Sequence, residues 1–203
     1  MKMLTPITTP KPIIYLAGKI DSDDWRTQIF GSRFGAVDTN SADNDTHGFK
    51  KLLDETYVQD HGQFLYGGPF FISCDHCCAH VPAGHGASPS GCLMGLADNG
   101  RLEIRDEIWR VNCARIKRAD FIFAYLNETD CYGTLIELGY AAALDKRIGV
   151  GIGRNIKVEE FDELWMARQC HNMDCNPWLG SPKETFSEFL GLALDCHKWV
   201  RAA

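Results

Sequence analysis

The stretch from Arg101 to Gly153 constrains the fold more than any other part of the chain. It reads "RLEIRDEIWRVNCARIKRADFIFAYLNETDCYGTLIELGYAAALDKRIGVGIG". Ile104, Ile108, Val111 and Ile116 recur at helical spacing, and "DFIFAYL" is an unbroken apolar run of the kind a strand buried on both faces requires. A polar turn "NETDCYG" follows, then an alanine-rich helix "TLIELGYAAALDK", then a second apolar strand "RIGVGIG". Helix, strand, turn, helix and strand in that order predict a right-handed parallel α/β unit.

The flanking segments extend this unit. "PIIYLAGKI" predicts a buried strand ending in a glycine turn at Gly18, and "DSDDWRTQIFGSRF" a helix capped by Ser22 or Asp23. "FLYGGPFFIS" has strand chemistry around two glycines, and "EEFDELWMARQ" reads as a helix. The best-marked helix is "SPKETFSEFLGLALDCHKWV", where Ser181 and Glu184 form a capping box around Pro182 at the first helical position. The expected fold is α/β: a doubly wound, mostly parallel sheet flanked by helices, flavodoxin- or Rossmann-like. A single domain over 1–203 is expected, with a flexible lead-in over 1–11, a polar surface loop over 38–48 and a Cys/His-rich loop insertion over 66–100. Ligands of such sheets bind at the carboxyl ends of the strands, and here those ends carry "AGKI", "NETDCYG" and "GIGRN". "GIGRN" lacks the third glycine and downstream acid of a dinucleotide fingerprint.

Composition narrows the partners. The 203 residues, 45% hydrophobic and 24% charged, suffice for one well-packed core. A net charge of −6 argues against duplex nucleic acid. No apolar run reaches the roughly 18–20 residues of a membrane span. "MKMLTPITTPKP" has no apolar signal core, and nine cysteines is an odd number, so the expectation is reduced thiols in a cytoplasm.

Within this frame Asp130 lies in the turn after a strand, and Glu137 stands seven residues later inside an apolar helix start. Both can face one crevice. Two carboxylates flanking one bond are the minimal equipment for glycoside cleavage, one attacking the anomeric carbon and one protonating the leaving group. Spacing alone leaves open a plainer arrangement, with Glu137 paired to a lysine or arginine and Asp130 acting only as a cap.

"DCYGTLIELGYA" after "ADFIFAYL" resembles the signature of the nucleoside 2-deoxyribosyltransferase family and the related nucleotide N-glycosidases, and "IIYLAG" is similar to that family's opening strand. The resemblance covers roughly residues 12–20 and 104–152. It implies a nucleoside deoxyribosyltransferase-like fold and an activity at the N-glycosidic bond of a nucleoside or nucleotide. Glu137, within the "GxxxELG" pattern of Gly133, Glu137, Leu138 and Gly139, takes the nucleophile's place. Tyr15 orients it, Gly18 allows close approach to the ligand, and Asp130 or a water network protonates the base. The family's turn acid stands six positions before the nucleophile, where this chain has Cys131. Its sugar-contacting aspartate aligns with Asn112, an amide that can bond a hydroxyl without carrying charge. Lys19 and Arg26 are the phosphate contacts available in "KIDSDDWR", and Trp25, Phe70 and Phe71 are candidate stacking surfaces for a base, with a place in the core as the other and preferred reading of each. The resemblance further implies a homo-oligomer, at least a dimer, and no cofactor. Two rival readings stand beside it: a non-catalytic nucleotide-sensing module, and a glycohydrolase of NAD or a signal nucleotide.

The insertion packs Cys74, His76, Cys77, Cys78, His80, His85 and Cys92 into a short span. The preferred reading is a metal-free substrate loop in which Asp75 and His76 contact the ligand. The alternative is structural zinc on Cys74 and Cys77, at knuckle spacing, completed by His80 or His85 with Cys92. Cys170, His171 and Cys175 read as loop residues.

Overall fold

The computed structural model describes residues 10–19, 25–30, 36–37, 53–72, 99–157, 160 and 162–202. In chain order the elements are β1 (Ile13–Ala17), α1 (Trp25–Phe30), β2 (Ala36–Val37), β3 (Gln59–Asp60), β4 (Leu65–Tyr66), β5 (Phe71–Ile72) and α2 (Asn99–Arg118). There follow β6 (Phe121–Leu126), α3 (Tyr132–Ala143), β7 (Arg147–Ile152), α4 (Trp165–Gln169), β8 (Trp178–Leu179) and α5 (Pro182–Ala202). Six strands form one sheet in the order β3-β4-β1-β6-β7-β8, and β2 pairs with β5 in a separate two-stranded piece. Within the main sheet only β3–β4 is antiparallel. From β1 the sheet grows to β4 on one side and to β6 on the other. The order therefore reverses between β1 and β6, which is where such sheets open a crevice at their carboxyl ends.

Alternation along the strands builds two cores, one on each face. Ile14 and Leu16 of β1 join Phe121, Phe123 and Tyr125 of β6, and this face is covered by Trp25 of α1 and by Phe186, Phe189 and Ala193 of α5. Tyr15 and Ala17 join Ile122, Ala124 and Leu126 on the other face, under Ile116 of α2, Leu138 and Ala141 of α3, and Ala167 of α4. All six residues of β6 are buried. That is why its sequence is a continuous apolar run with no alternation of polar and apolar residues.

The glycines of "RIGVGIG" serve packing. A Cβ on Gly149 would lie 2.5 Å from a Phe189 ring carbon and 2.6 Å from the Trp178 ring, and one on Gly151 would lie 2.7 Å from the Thr185 hydroxyl. Two bare positions thus let α5 sit directly on β7. The α5 capping box is present: Glu184 Oε2 accepts from the Ser181 backbone N–H at 2.8 Å and from its hydroxyl at 2.9 Å.

Several expectations need correction. The insertion begins later than residue 66, because Tyr66 belongs to β4 and Phe71–Ile72 pair with Ala36–Val37, and α2 already starts at Asn99. The end of the lead-in is tied down, with Lys11 paired to Asp60 at 2.6 Å and His197 bonded to the Pro10 carbonyl at 2.7 Å. The "EEFDELWMARQ" helix shrinks to Trp165–Gln169. His171, expected only as a loop residue, does more, together with its neighbour Asn172. The Val150 N–H donates to His171 Nδ1 at 3.0 Å and the Ile148 N–H to Asn172 Oδ1 at 2.7 Å, so two side chains complete the edge of β7 where the two-residue β8 does not reach. The Ser22 and Asp23 caps and the 38–48 loop lie outside the described residues. Among the described residues no helix is long and apolar enough to cross a membrane.

Candidate active site

Tyr15 is the middle residue of β1 and points to the face covered by α3. It has no exposed surface. Glu137 stands in the second turn of α3, and the sheet register that pairs Tyr15 with Ile122 sets β1 beside the strand that feeds this helix. The Tyr15 hydroxyl donates to Glu137 Oε1 at 2.5 Å, across 122 residues of sequence. Glu137 as a residue is only partly buried, but its carboxyl end is deeply enclosed. Burial pushes that carboxyl up from 4.5 to about 7, against the lowering effects of the Tyr15 hydrogen bond and the Arg26 charge. Burial and the neighbouring carboxylate likewise raise the Tyr15 phenol well above its usual range, so it stays a hydrogen-bond donor.

A cavity of about 330 Å³ opens above this pair. It brings together Gly18, Lys19, Asn112, Asp130, Gly133 and Glu137 from three separate segments of the chain. Lys19 lies 3.0 Å from Glu128 and 3.6 Å from Asp130, which raise its ammonium further. Asp130 is exposed at the rim. Asn112, nearly two turns before the end of α2, accepts weakly from Arg115 at 3.4 Å. Arg115 itself is buried, donates to the Asp54 carbonyl at 2.8 Å and lies 4.8 Å from the Phe70 ring centre. The plainer arrangement foreseen for Glu137, a salt bridge to lysine or arginine, is not present among the described residues.

Trp25 and Arg26 are placed elsewhere. Arg26 is fully buried, donating to the carbonyls of Leu16 at 2.6 Å and Gly18 at 3.1 Å with its guanidinium 4.5 Å from the Trp25 ring centre. It fastens the end of β1 and reaches Glu137 only through its field. Trp25 is in the core of the opposite face, packed against Phe123 and Tyr125. Gly18 makes room for it, since a Cβ there would stand 2.4 Å from the indole nitrogen. Phe70 is also core. Burying the indole against Phe123 and Tyr125 removes a large apolar surface from water, a gain that a place at the Glu137 cavity would forgo.

Pro69, Cys131, Tyr132 and Thr134 also line the cavity. Of these only Cys131 carried a signal in sequence, through its position relative to Glu137. Burial pushes its thiol up to about 11, which keeps it protonated and poorly nucleophilic. Cys131 is also the residue before α3 and makes no side-chain cap, and the first residues of that helix, Tyr132 to Thr134, border the cavity. Phe71, Cys74, Asp75, His76, Cys77, His80 and Cys92 fall where side chains or whole residues are outside the described set. Among the described residues no group of three or more His, Cys, Asp or Glu side chains is arranged to hold a metal ion. Compared with family models, with curated proteins and with solved structures, the chain matches none.

Proposed function

We propose that the chain cleaves or transfers the N-glycosidic bond of a nucleoside or nucleotide, as a relative of the nucleoside 2-deoxyribosyltransferases and nucleotide N-glycosidases. One observation carries this reading: a deeply seated glutamate, held by a tyrosine hydroxyl at 2.5 Å, at the floor of an open cavity with a second carboxylate on its rim. Among the described residues no cation pairs with Glu137, and the Tyr15 hydroxyl bonds only one of its two oxygens. Ionised Glu137 attacks C1′, forming a glycosyl ester as the C1′–N bond breaks. The bonding pair leaves with the base, which takes a proton from Asp130 or water. A second base or water then attacks C1′ and releases the carboxylate. Asn112 supplies an amide for a sugar hydroxyl, and Lys19 a positive charge near the mouth. The homo-oligomer belongs to the same proposal, and Trp109, Tyr132 and Ile136, all exposed on α2 and α3, give it an apolar surface to cover.

The test incubates the protein with nucleosides, their monophosphates and NAD, with and without an acceptor base. Base released only with acceptor identifies a transferase, and release without it a hydrolase. Glu137→Ala loses several decades of turnover. Activity retained above about 1% of wild type would remove the nucleophile from the mechanism.

A further inference from the structure

The mouth of the Glu137 cavity carries one charged group that the glycosidic mechanism leaves without a role, Glu128. Lys19 stands just past the end of β1, and Glu128 and Asp130 stand in the turn between β6 and α3. β1 and β6 are paired neighbours, so the turn that carries the carboxylates lies beside the lysine. The Lys19 ammonium is 3.0 Å from Glu128 Oε1 and 3.6 Å from Asp130 Oδ1. Both carboxylates favour its charged form, Glu128 foremost.

Positive charge at this mouth is already spent. Among the described residues that line the cavity Lys19 is the one cation, and two carboxylates hold it. A phosphate dianion brought to Lys19 would meet one attraction and two repulsions at similar range. Arg26 and Arg115, the buried cations nearby, turn guanidinium N–H groups to the carbonyls of Leu16, Gly18 and Asp54. The N-terminus of α3 offers an anion no better place, because Glu128 and Asp130 stand just ahead of it and already lie in its field. An ion pair this open to water adds little to folding, so its main effect falls on what can approach Lys19.

We propose that Glu128 is a specificity-determining residue: by holding Lys19 it bars phosphate from the mouth, so that the cavity takes nucleosides in preference to their 5′-monophosphates. Glu128 acts through Lys19 and is a positioning residue. The choice of substrate rests on the reading of Glu137 as a glycosidic nucleophile; the exclusion of phosphate does not. Of the two cations that the sequence offered as phosphate contacts, Lys19 belongs to this ion pair and Arg26 to the end of β1.

Turnover and binding test it separately. In wild type the ratio of kcat/KM for a nucleoside 5′-monophosphate to that for the parent nucleoside lies below one. Glu128→Gln raises this ratio about tenfold, the effect of removing one charge roughly 6 Å from a dianion in water. Inorganic phosphate, titrated calorimetrically at low salt, does not bind wild type. It binds Glu128→Gln/Asp130→Asn, whose substitutions lie on a solvent-accessible turn, and adding Lys19→Ala abolishes that binding. A monophosphate used as well as its nucleoside by wild type overturns the proposal while leaving Glu137 in place, and so does a ratio unchanged in Glu128→Gln. Turnover of neither substrate removes the glycosidic reading, and the phosphate titration then decides alone. Phosphate binding to wild type that Lys19→Ala abolishes, or no binding to Glu128→Gln/Asp130→Asn, overturns the role of Glu128.

Discussion

Replacing Glu137 by glutamine isolates what it takes to keep a carboxyl group beside Tyr15. The folded chain holds the Glu137 proton up to about pH 7, whereas an unburied glutamate releases it near 4.5. Between those two values the folded state binds more protons than the unfolded one, so stability falls as pH rises. Each unit is worth about 1.4 kcal/mol, and the whole window is on the order of 3 kcal/mol. Glutamine has no proton to lose but keeps an oxygen for the Tyr15 hydroxyl. Glu137→Gln is therefore expected to gain on wild type as pH rises from 5 to 8, by about 2–3 kcal/mol. In a chain of this size that is roughly 5–10 °C in melting temperature. Parallel urea and thermal unfolding of both proteins at four pH values reads the gap. The difference is the right quantity because half-buried His61 and His171, whose rings burial holds below their usual range, pull wild-type stability the opposite way. Those rings are common to both proteins and cancel. A gap that stays flat, or narrows as pH rises, refutes the account of Glu137 as a carboxyl held protonated by burial.

Tyr15→Phe removes the hydrogen bond that favours ionised Glu137. If turnover needs the carboxylate, the wild-type rate falls below about pH 7, and this acidic limb moves up by about one pH unit in the variant; a pH–rate profile that does not move disconnects Tyr15 from the reaction. Gly149→Ala sets a methyl into the Phe189 and Trp178 rings and is expected to destabilise by about 1–3 kcal/mol, measured by urea unfolding, with an unchanged midpoint ruling out the close seating of α5.

How much of this was legible depended on distance along the chain. The Ser181–Glu184 capping box is local chemistry, and it stands in the structure as read. The strands "IIYLA", "FIFAYL" and "RIGVGI" announced themselves by unbroken apolar character, because a strand covered on both faces has no polar side to show. Nothing near Gly149 and Gly151 in sequence requires glycine, since the rings and hydroxyl that do come from β8 and α5. The role of His171 is hidden for the same cause: nothing near it in sequence announces that β7 needs an acceptor at its edge. Lys19, Asn112, Asp130 and Gly133 do share the cavity with Glu137, while Trp25, only a few residues past Lys19, turns to the other face and Arg26 is buried against the carbonyls of Leu16 and Gly18.

The three long strands and the helices between and after them, the cap of α5 and the carboxylates of one turn and its helix came from the sequence by itself, because each depends on neighbours a few positions away; the two-residue strands β2, β3 and β8 did not. Tertiary structure decided what those carboxylates face. Only the parallel register of β1 against β6 sets a phenol from the start of the chain within hydrogen-bonding distance of Glu137. Only the packing of two helices on opposite faces separates the residues after Gly18 into one set at the cavity and another in the core. Local propensity cannot encode such pairings, because the energy that selects them is released when distant segments bury their surfaces against each other.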